Sequence, residues 1–415
     1  MTLLLAAGLL AGCGKGALLS GATSPLARAF EQGQAGDAPA APPAQFEPAV
    51  AAALASMPTS NNRFAVLPDR IAFPELERTL AGARRSILIS VYNWRMDETG
   101  LRIADLVYRK AQQGVEVRIL VDEYGQTEQK GDKDMVPWLR RHGLDVRHYR
   151  KTVLFPRGIL NFSHRKLYLV DGDQAVTGGM NLGHEYELLW RDLLVKVEGE
   201  IAGQLHKEWL RDWTHSGGPA VKLQPVAARA YGRVTAAAIA TSPLEPGRGN
   251  EIHRVLLTAI RTAKKRVWAA YPYWGDKALV DELGKAAKRG VDVRVIIPEV
   301  TDVPVFKVAN RFIVKELLDR GVKVRLFSRG FAHAKYLVAD DLLEIGSSNA
   351  DTSSFENQQE LDVITPDPQI TEQFVAAGPA LDWVANCRDV RPDDLKSTWA
   401  QAPTEEVLKL IRRFL

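Results

Sequence analysis

Short apolar runs entered through glycine recur along this chain, and amphipathic stretches separate them. Ser86-Ile87-Leu88-Ile89-Ser90-Val91-Tyr92 predicts a buried strand, and a helix is expected from about Gly100 to Gln113. Gly114-Val115-Glu116-Val117-Arg118-Ile119-Leu120-Val121-Asp122 reads as a second strand, entered through a glycine that stops the helix. A further helix ends at His142-Gly143, and Leu144-Asp145-Val146-Arg147 opens another strand. The same order then returns. Arg266 to Tyr271 is a strand, Lys277 to Arg289 a helix, and Gly290 to Ile297 the counterpart of the Gly114 strand. Leu318 to Gly321 followed by Val322-Lys323-Val324-Arg325-Leu326 repeats the Gly143 junction. Alternation of strand and helix predicts an α/β sheet in each half. The repeat is too long for a solenoid unit, so two similar domains are expected. Chance could match one pair of segments; it does not match four in the same order.

Composition narrows the class. The 415 residues are 46% hydrophobic and 25% charged, the balance of a globular chain rather than a collagen-like, disordered or polytopic membrane protein. Lys+Arg 54 against Asp+Glu 50 leaves a net charge of +4, which gives no broad basic surface for nucleic acid. The two cysteines, Cys13 and Cys387, exclude a disulfide framework and a thiolate-based metal site. At the start, Leu3 to Leu10 is apolar but too short to span a bilayer, and Leu10-Ala11-Gly12-Cys13 has the form of a lipoprotein cleavage site with Cys13 as the lipidated residue. Met1-Thr2 lacks the usual cations of such a signal. The organisation expected is a signal over 1–13, an Ala/Pro/Gly-rich tether over 14–61, a first domain over 62–224, a second over 225–395 and a terminal helix over 396–415.

Each domain carries one chemical signature. His164-Arg165-Lys166 with Asp171 is followed by Gly178-Gly179-Met180-Asn181; His333-Ala334-Lys335 with Asp340 is followed by Gly346-Ser347-Ser348-Asn349. A His-x-Lys-x4-Asp motif at matching places in an internal repeat is a specific signal. Spacing i, i+2 puts each His and Lys on one strand face. Asp171-Gly172-Asp173-Gln174 predicts a two-residue hairpin loop and the Asp340 loop a three-residue one, which would set Asn181 opposite His164 and Asn349 opposite His333. Asp171 and Asp340 are expected to support the site from the turn, while Gly179 and Ser347 let a ligand approach the backbone. Two imidazoles can divide labour, one neutral as nucleophile and one protonated as acid. Two lysines and two asparagines form a cationic, donor-rich clamp suited to a phosphodiester. Histidine attack on phosphorus gives a covalent intermediate, and no cofactor or metal is expected.

These motifs resemble those of the phospholipase D superfamily, and the surrounding residues are similar to its bacterial cardiolipin synthase branch. The likeness runs from about Phe64 to Val363 and includes Asn161-Phe162-Ser163, Gly183-His184-Glu185-Tyr186, Trp190-Arg191-Asp192, Val197-Glu198-Gly199, Asp212-Trp213, Asn349-Ala350-Asp351 and Glu360. It implies an α/β fold of two similar phospholipase D-type domains packed about a pseudo-twofold axis, with the active site at their interface. It also implies a ping-pong mechanism with His164 as nucleophile and His333 as general acid, or the two exchanged. Lys166, Lys335, Asn181 and Asn349 would hold the phosphate. The chain departs from the branch, which usually has an arginine near Ser353 and an asparagine near Gln358, so acceptor choice is the property in doubt.

Four functions fit: a phosphatidyltransferase making cardiolipin from phosphatidylglycerol, a phospholipase D hydrolase, a metal-independent nuclease or phosphodiesterase, and a non-catalytic lipid-binding module. A phospholipid substrate and a membrane surface are the expected partners, with nucleic acid not obligatory and the location a membrane-anchored lipoprotein facing the periplasm. The mixed cationic and apolar stretch 148–160 could rest on an anionic lipid surface or fold on itself. Residues 404–415 predict an amphipathic helix docked on the second domain. Trp190, Trp209 and Trp213 are expected in the core or at the domain interface.

Overall fold

The computed structural model describes residues 43–127, 134–149 and 161–395. Cys13, the terminal helix over 396–415 and most of the stretch 148–160 lie outside the described residues.

Two mixed sheets share one strand order. The first contains β1 (Asn62–Pro68), β2 (Ser86–Val91), β3 (Glu116–Asp122), β4 (Asp145–Tyr149), β5 (Leu167–Val170), β6 (Gln174–Gly178) and β7 (Leu193–Gly199), ordered β1-β7-β6-β5-β2-β3-β4. The second contains β8 (Ala237–Thr241), β9 (Arg266–Ala270), β10 (Asp292–Pro298), β11 (Lys323–Phe327), β12 (Tyr336–Ala339), β13 (Leu342–Gly346), β14 (Glu360–Thr365) and β15 (Cys387–Asp389), ordered β8-β14-β13-β12-β9-β10-β11-β15. Each strand of the first sheet has its counterpart seven strands later. β2, β3 and β4 are parallel, as are β9, β10 and β11; the remaining pairs are antiparallel. The parallel halves follow from the helix-to-strand junctions: Gly114 and Gly290 take φ +85° and +89°, a left-handed turn that an L side chain would strain.

The central strands of both sheets are buried on both faces. One face of each joins a shared core in which Leu169, Val195 and Val197 meet Val338, Ile345, Leu361 and Val363, with Trp209 and Trp213 alongside. The other faces pack separate helical layers, around Phe73 and Ile103 in the first domain and Val255 and Leu283 in the second.

Two expectations are corrected here. The tether does not extend to residue 61 as a free segment. The helix Pro48–Ala53 lies on the second domain, and Phe46, Val50 and Ala53 are buried in its core, because three apolar side chains on a short amphipathic segment are stabilised by leaving water. The hairpins are each one residue out of the expected register. Val170 pairs with Gln174 and Ala339 with Leu342, giving a three-residue loop in the first domain and a two-residue loop in the second. Continuing that register, His164 stands opposite Met180 and His333 opposite Ser348, rather than Asn181 and Asn349.

The turn aspartates set this geometry. Asp171 and Asp340 both take φ +53° and fold their carboxylates back onto the sheet. Asp171 accepts hydrogen bonds from the backbone N–H of Arg84, Arg85 and Ser86, and Asp340 from those of Lys264, Lys265 and Arg266. Each thereby anchors the start of the neighbouring strand. Seven residues of extended chain, roughly 20 Å, separate them from the histidines. They therefore do not support the site directly, contrary to the reading of the motif as one constellation.

Candidate active site

The segments that precede β5 and β12 carry the two histidines into the seam between the domains. His164 N–H donates to the Gln359 carbonyl at 2.9 Å, and His333 N–H to the Arg191 carbonyl at 2.8 Å, so each motif is stitched to the opposite domain. The side chains repeat the exchange. His164 Nδ1 lies 3.0 Å from Glu360 Oε1 and 3.1 Å from the Ser347 carbonyl; His333 Nδ1 lies 2.6 Å from Asp192 Oδ2. Glu360 opens β14 and Asp192 immediately precedes β7, and both are fully buried. Each histidine therefore takes its carboxylate from the other domain.

The lysines complete the cluster. Lys166 Nζ donates to the His164 carbonyl at 2.6 Å and lies 5.4 Å from the centre of the Tyr92 ring. Lys335 Nζ donates to the His333 carbonyl at 2.7 Å and lies 3.0 Å from each nitrogen of that imidazole. Burial pushes Lys335 down to about 8 and Lys166 well below the usual lysine range. Burial, reinforced by Lys166, pushes His164 down to about 4, and burial with Lys335 holds His333 well below its ordinary value. Burial works to raise Glu360, but attraction to His164 and their hydrogen bond hold it below the usual carboxylate range. Asp192 is lifted by burial to about 6, against the pull of Lys335. The imidazoles are thus neutral near pH 7. With Nδ1–H committed to a carboxylate, the lone pair of His164 Nε2 is left for a substrate.

The sequence-derived site residues divide. His164, Lys166, His333 and Lys335 come together as expected. Gly179 and Ser347 serve the carboxylates rather than a ligand: a Cβ on Gly179 would stand 2.4 Å from Asp192 Oδ1, and Ser347 Oγ donates to Glu360 Oε2 at 2.5 Å. Asn181 is spent on its own loop, with Oδ1 accepting from Asn93 N–H at 3.2 Å and Nδ2 donating to Tyr186 Oη at 2.9 Å. Tyr186 in turn stands edge-on to His333, so this asparagine serves the opposite histidine rather than His164. Asn349 Oδ1 is buried with no hydrogen-bond partner in the protein. Aromatic walls flank both imidazoles: Tyr92 and Phe162 beside His164, and Tyr186, Trp190, Tyr273 and Phe331 beside His333. Trp190 is accordingly a wall of the site, whereas Trp209 and Trp213 are core.

Three functional residues were not read from the sequence. Asp192 and Glu360 stand in the sequence only as points of likeness, although each follows its own motif histidine at nearly the same remove, a usable signal. Arg165, inside the first motif, is buried and bonds Asp212, Ser242 and the Glu360 carbonyl.

Beside the second motif, Gln358 Nε2 donates to Ser353 Oγ at 2.9 Å. The two form a small neutral pair.

The fold and the paired His-x-Lys segments define the chain as a member of the phospholipase D superfamily. Within it, the chain belongs to the family described as cardiolipin synthase, PLD-like domain, whose model matches residues 76–213 and 256–377. A cardiolipin synthase of Halalkalibacterium halodurans is 31% identical over 310 residues, 71% of this chain and 61% of that protein. Cardiolipin synthase A of Pseudomonas entomophila is 31% identical over 340 residues, 78% of this chain and 70% of that protein. The chain thus spans less than two thirds of the first of these relatives. Among solved structures, phosphatidylserine synthase of Haemophilus influenzae superposes with a TM-score of 0.64 at 14% identity, covering 85% of this chain and 93% of the other. That likeness is one of fold.

Proposed function

We propose that this protein is a phosphatidyltransferase that makes cardiolipin from two molecules of phosphatidylglycerol and releases glycerol. The crossed arrangement carries the reading: two histidines, each backed by the other domain's carboxylate, converge with two lysines in one buried seam. The cardiolipin synthase relatives point to the same substrate class.

His164 Nε2 attacks phosphorus, and the bond from phosphorus to the glycerol oxygen breaks. His333, as imidazolium, gives its proton to the departing alkoxide. Burial first, and the two lysine cations after it, depress the imidazoles; the anionic oxygens of a bound phosphodiester between Lys166 and Lys335 offset the lysines' share and favour a protonated His333. In the second half, the hydroxyl of another phosphatidylglycerol gives its proton to His333, its oxygen bonds to phosphorus and the phosphorus–nitrogen bond breaks. Asp192 and Glu360 orient the rings throughout.

Protein lacking residues 1–13, incubated with phosphatidylglycerol vesicles, is expected to yield cardiolipin and glycerol, resolved by lipid chromatography, and His164→Ala to yield neither. Phosphatidic acid as the sole product would move the protein to the hydrolases. No product from wild type would remove both lipid readings. We further propose, from Leu10-Ala11-Gly12-Cys13, that the chain is lipidated at Cys13 and faces the periplasm at a bacterial membrane. Cys13→Ser is expected to abolish fatty-acid labelling and shift the protein to the soluble fraction; unchanged labelling sinks the idea.

A further inference from the structure

A buried acid pair lies behind the turn Ser347–Asn349, and among the described residues the matching turn of the first domain has none. Glu344 on β13 and Asp362 on β14 are fully buried. Burial together with the nearness of Asp362 pushes Glu344 well above the usual carboxylate range, while burial and Glu360 lift Asp362 to about 6. Burial without a cation beside it favours the neutral form of Glu344. Tyr271 Oη donates to Glu344 Oε2 at 2.9 Å, while Glu344 Oε1 is buried with no hydrogen-bond partner. Asp362 directs its own oxygens at the turn. Oδ1 accepts from the N–H of Ser347 at 2.8 Å and of Ser348 at 3.1 Å, and Oδ2 accepts from Ser348 Oγ at 2.5 Å. Ser347 passes this order on. Its carbonyl stands 3.1 Å from His164 Nδ1, and its hydroxyl binds the Glu360 carboxylate that holds the same nitrogen.

The pseudo-symmetry shows what the fold alone requires at these places. Gly346 pairs with Asp362 as Gly178 pairs with Leu194, and Leu337 pairs with Glu344 as Tyr168 pairs with Val176. The counterparts of Asp362, Glu344, Ser348 and Tyr271 are therefore Leu194, Val176, Met180 and Val91, all buried and apolar. A core of this shape is stable without acids, and burying them costs stability unless they are satisfied. Domain one also has Gly179 where domain two has Ser347, so Asp192 receives no hydroxyl there.

We propose that Glu344 and Asp362 are positioning residues for phosphoryl transfer: they fix the Ser347–Ser348 main chain so that the Ser347 carbonyl and Glu360 together hold His164 in its Nδ1–H tautomer, with Nε2 presented for attack. His333 has Asp192 but no such scaffold, and the acid pair is what makes the two histidines inequivalent. The proposal rests on His164 being the nucleophile.

The test reads tautomer and rate separately. In protein labelled with 15N in its imidazoles, the His164 resonances, identified by their loss in His164→Ala, are expected to report Nδ1–H. A wild-type His164 in the Nε2–H form overturns the proposal without any variant. Asp362→Asn places a donor against two N–H groups; a mixed tautomer is expected, with kcat on phosphatidylglycerol vesicles about 10- to 100-fold lower and KM unchanged. Glu344→Gln keeps the shape and an acceptor for Tyr271 without an ionisable group, and should retain both properties. The triple variant Glu344→Val, Asp362→Leu, Ser348→Met copies the packing of the first domain, and should fold yet lose the tautomer and the rate. If Asp362→Asn or the triple variant folds with wild-type kcat and a wild-type His164 tautomer, the pair is packing only. The tautomer readout needs no substrate, so a wild type that makes no cardiolipin would refute the proposed function and leave the positioning question decided on its own terms.

Discussion

His164 and His333 are neutral for the same reason, burial beside a lysine; His164 works in that neutral form, and His333 takes on its working charge only when a phosphate arrives. A buried imidazole without a catalytic partner behaves differently. His206, on the helix Glu200–His215, is fully buried and neither ring nitrogen has a hydrogen-bond partner. Burial pushes its pKa below the ordinary 6.5. Below that value the unfolded chain binds the proton more readily than the folded one. The contribution of the neutral ring is therefore complete above about pH 6.5 and is lost as pH falls. His206→Leu removes an unpaired buried polar ring and is expected to raise stability by about 1–3 kcal/mol at pH 7. The gap should widen at pH 5, measured as Tm by calorimetry at both values. A smaller gap at pH 5 would refute the sign.

At the scale of elements, Asp171 and Asp340 show how a motif can be one string in sequence and two devices in space. The His and Lys end enters the seam; the Asp end caps the start of β2 or β9 through three backbone N–H groups. Asp171→Ala is expected to lower stability by about 1–3 kcal/mol, since those N–H groups lose their acceptor, and to leave kcat close to wild type. Denaturant unfolding and the phosphatidylglycerol assay check the two halves; a collapse of kcat in a folded protein would return Asp171 to the site. The same scale limits what a sequence reveals. β2, β3, β9, β10 and the helices between them were legible because glycine stops and continuous apolar runs mark parallel strands. β1, β7, β8 and β14 were not, because strands buried on both faces lose the alternation that signals antiparallel pairing. The hairpin registers slipped by one residue because Asp171 and Asp340 choose the turn through contacts more than seventy residues away.

The whole molecule depends on its seam. Arg165 crosses it, joining Asp212 on the first domain to the Thr241 carbonyl, Ser242 hydroxyl and Glu360 carbonyl of the second, with Glu208 3.5 Å away. All of this is buried, so removing the guanidinium leaves acids uncompensated in a low-dielectric interior. Arg165→Met is expected to cost about 3–5 kcal/mol in denaturant unfolding. A loss below 1 kcal/mol would mean the seam is held by its apolar core alone. Separated domains would each hold a histidine without its carboxylate.

What the sequence determined by itself was local or repeated: two α/β domains, two His-x-Lys pairs with i, i+2 geometry, and a chemistry suited to a phosphodiester. These follow from periodicity and from identities at short spacing. Tertiary structure alone decided which carboxylate serves which histidine, that the motif aspartates stand apart, and that an acid pair lies behind one histidine only. Each of those depends on residues brought together from opposite sides of a pseudo-twofold seam or from strands in a common core, where burial and mutual charge, not sequence spacing, set what a side chain can do.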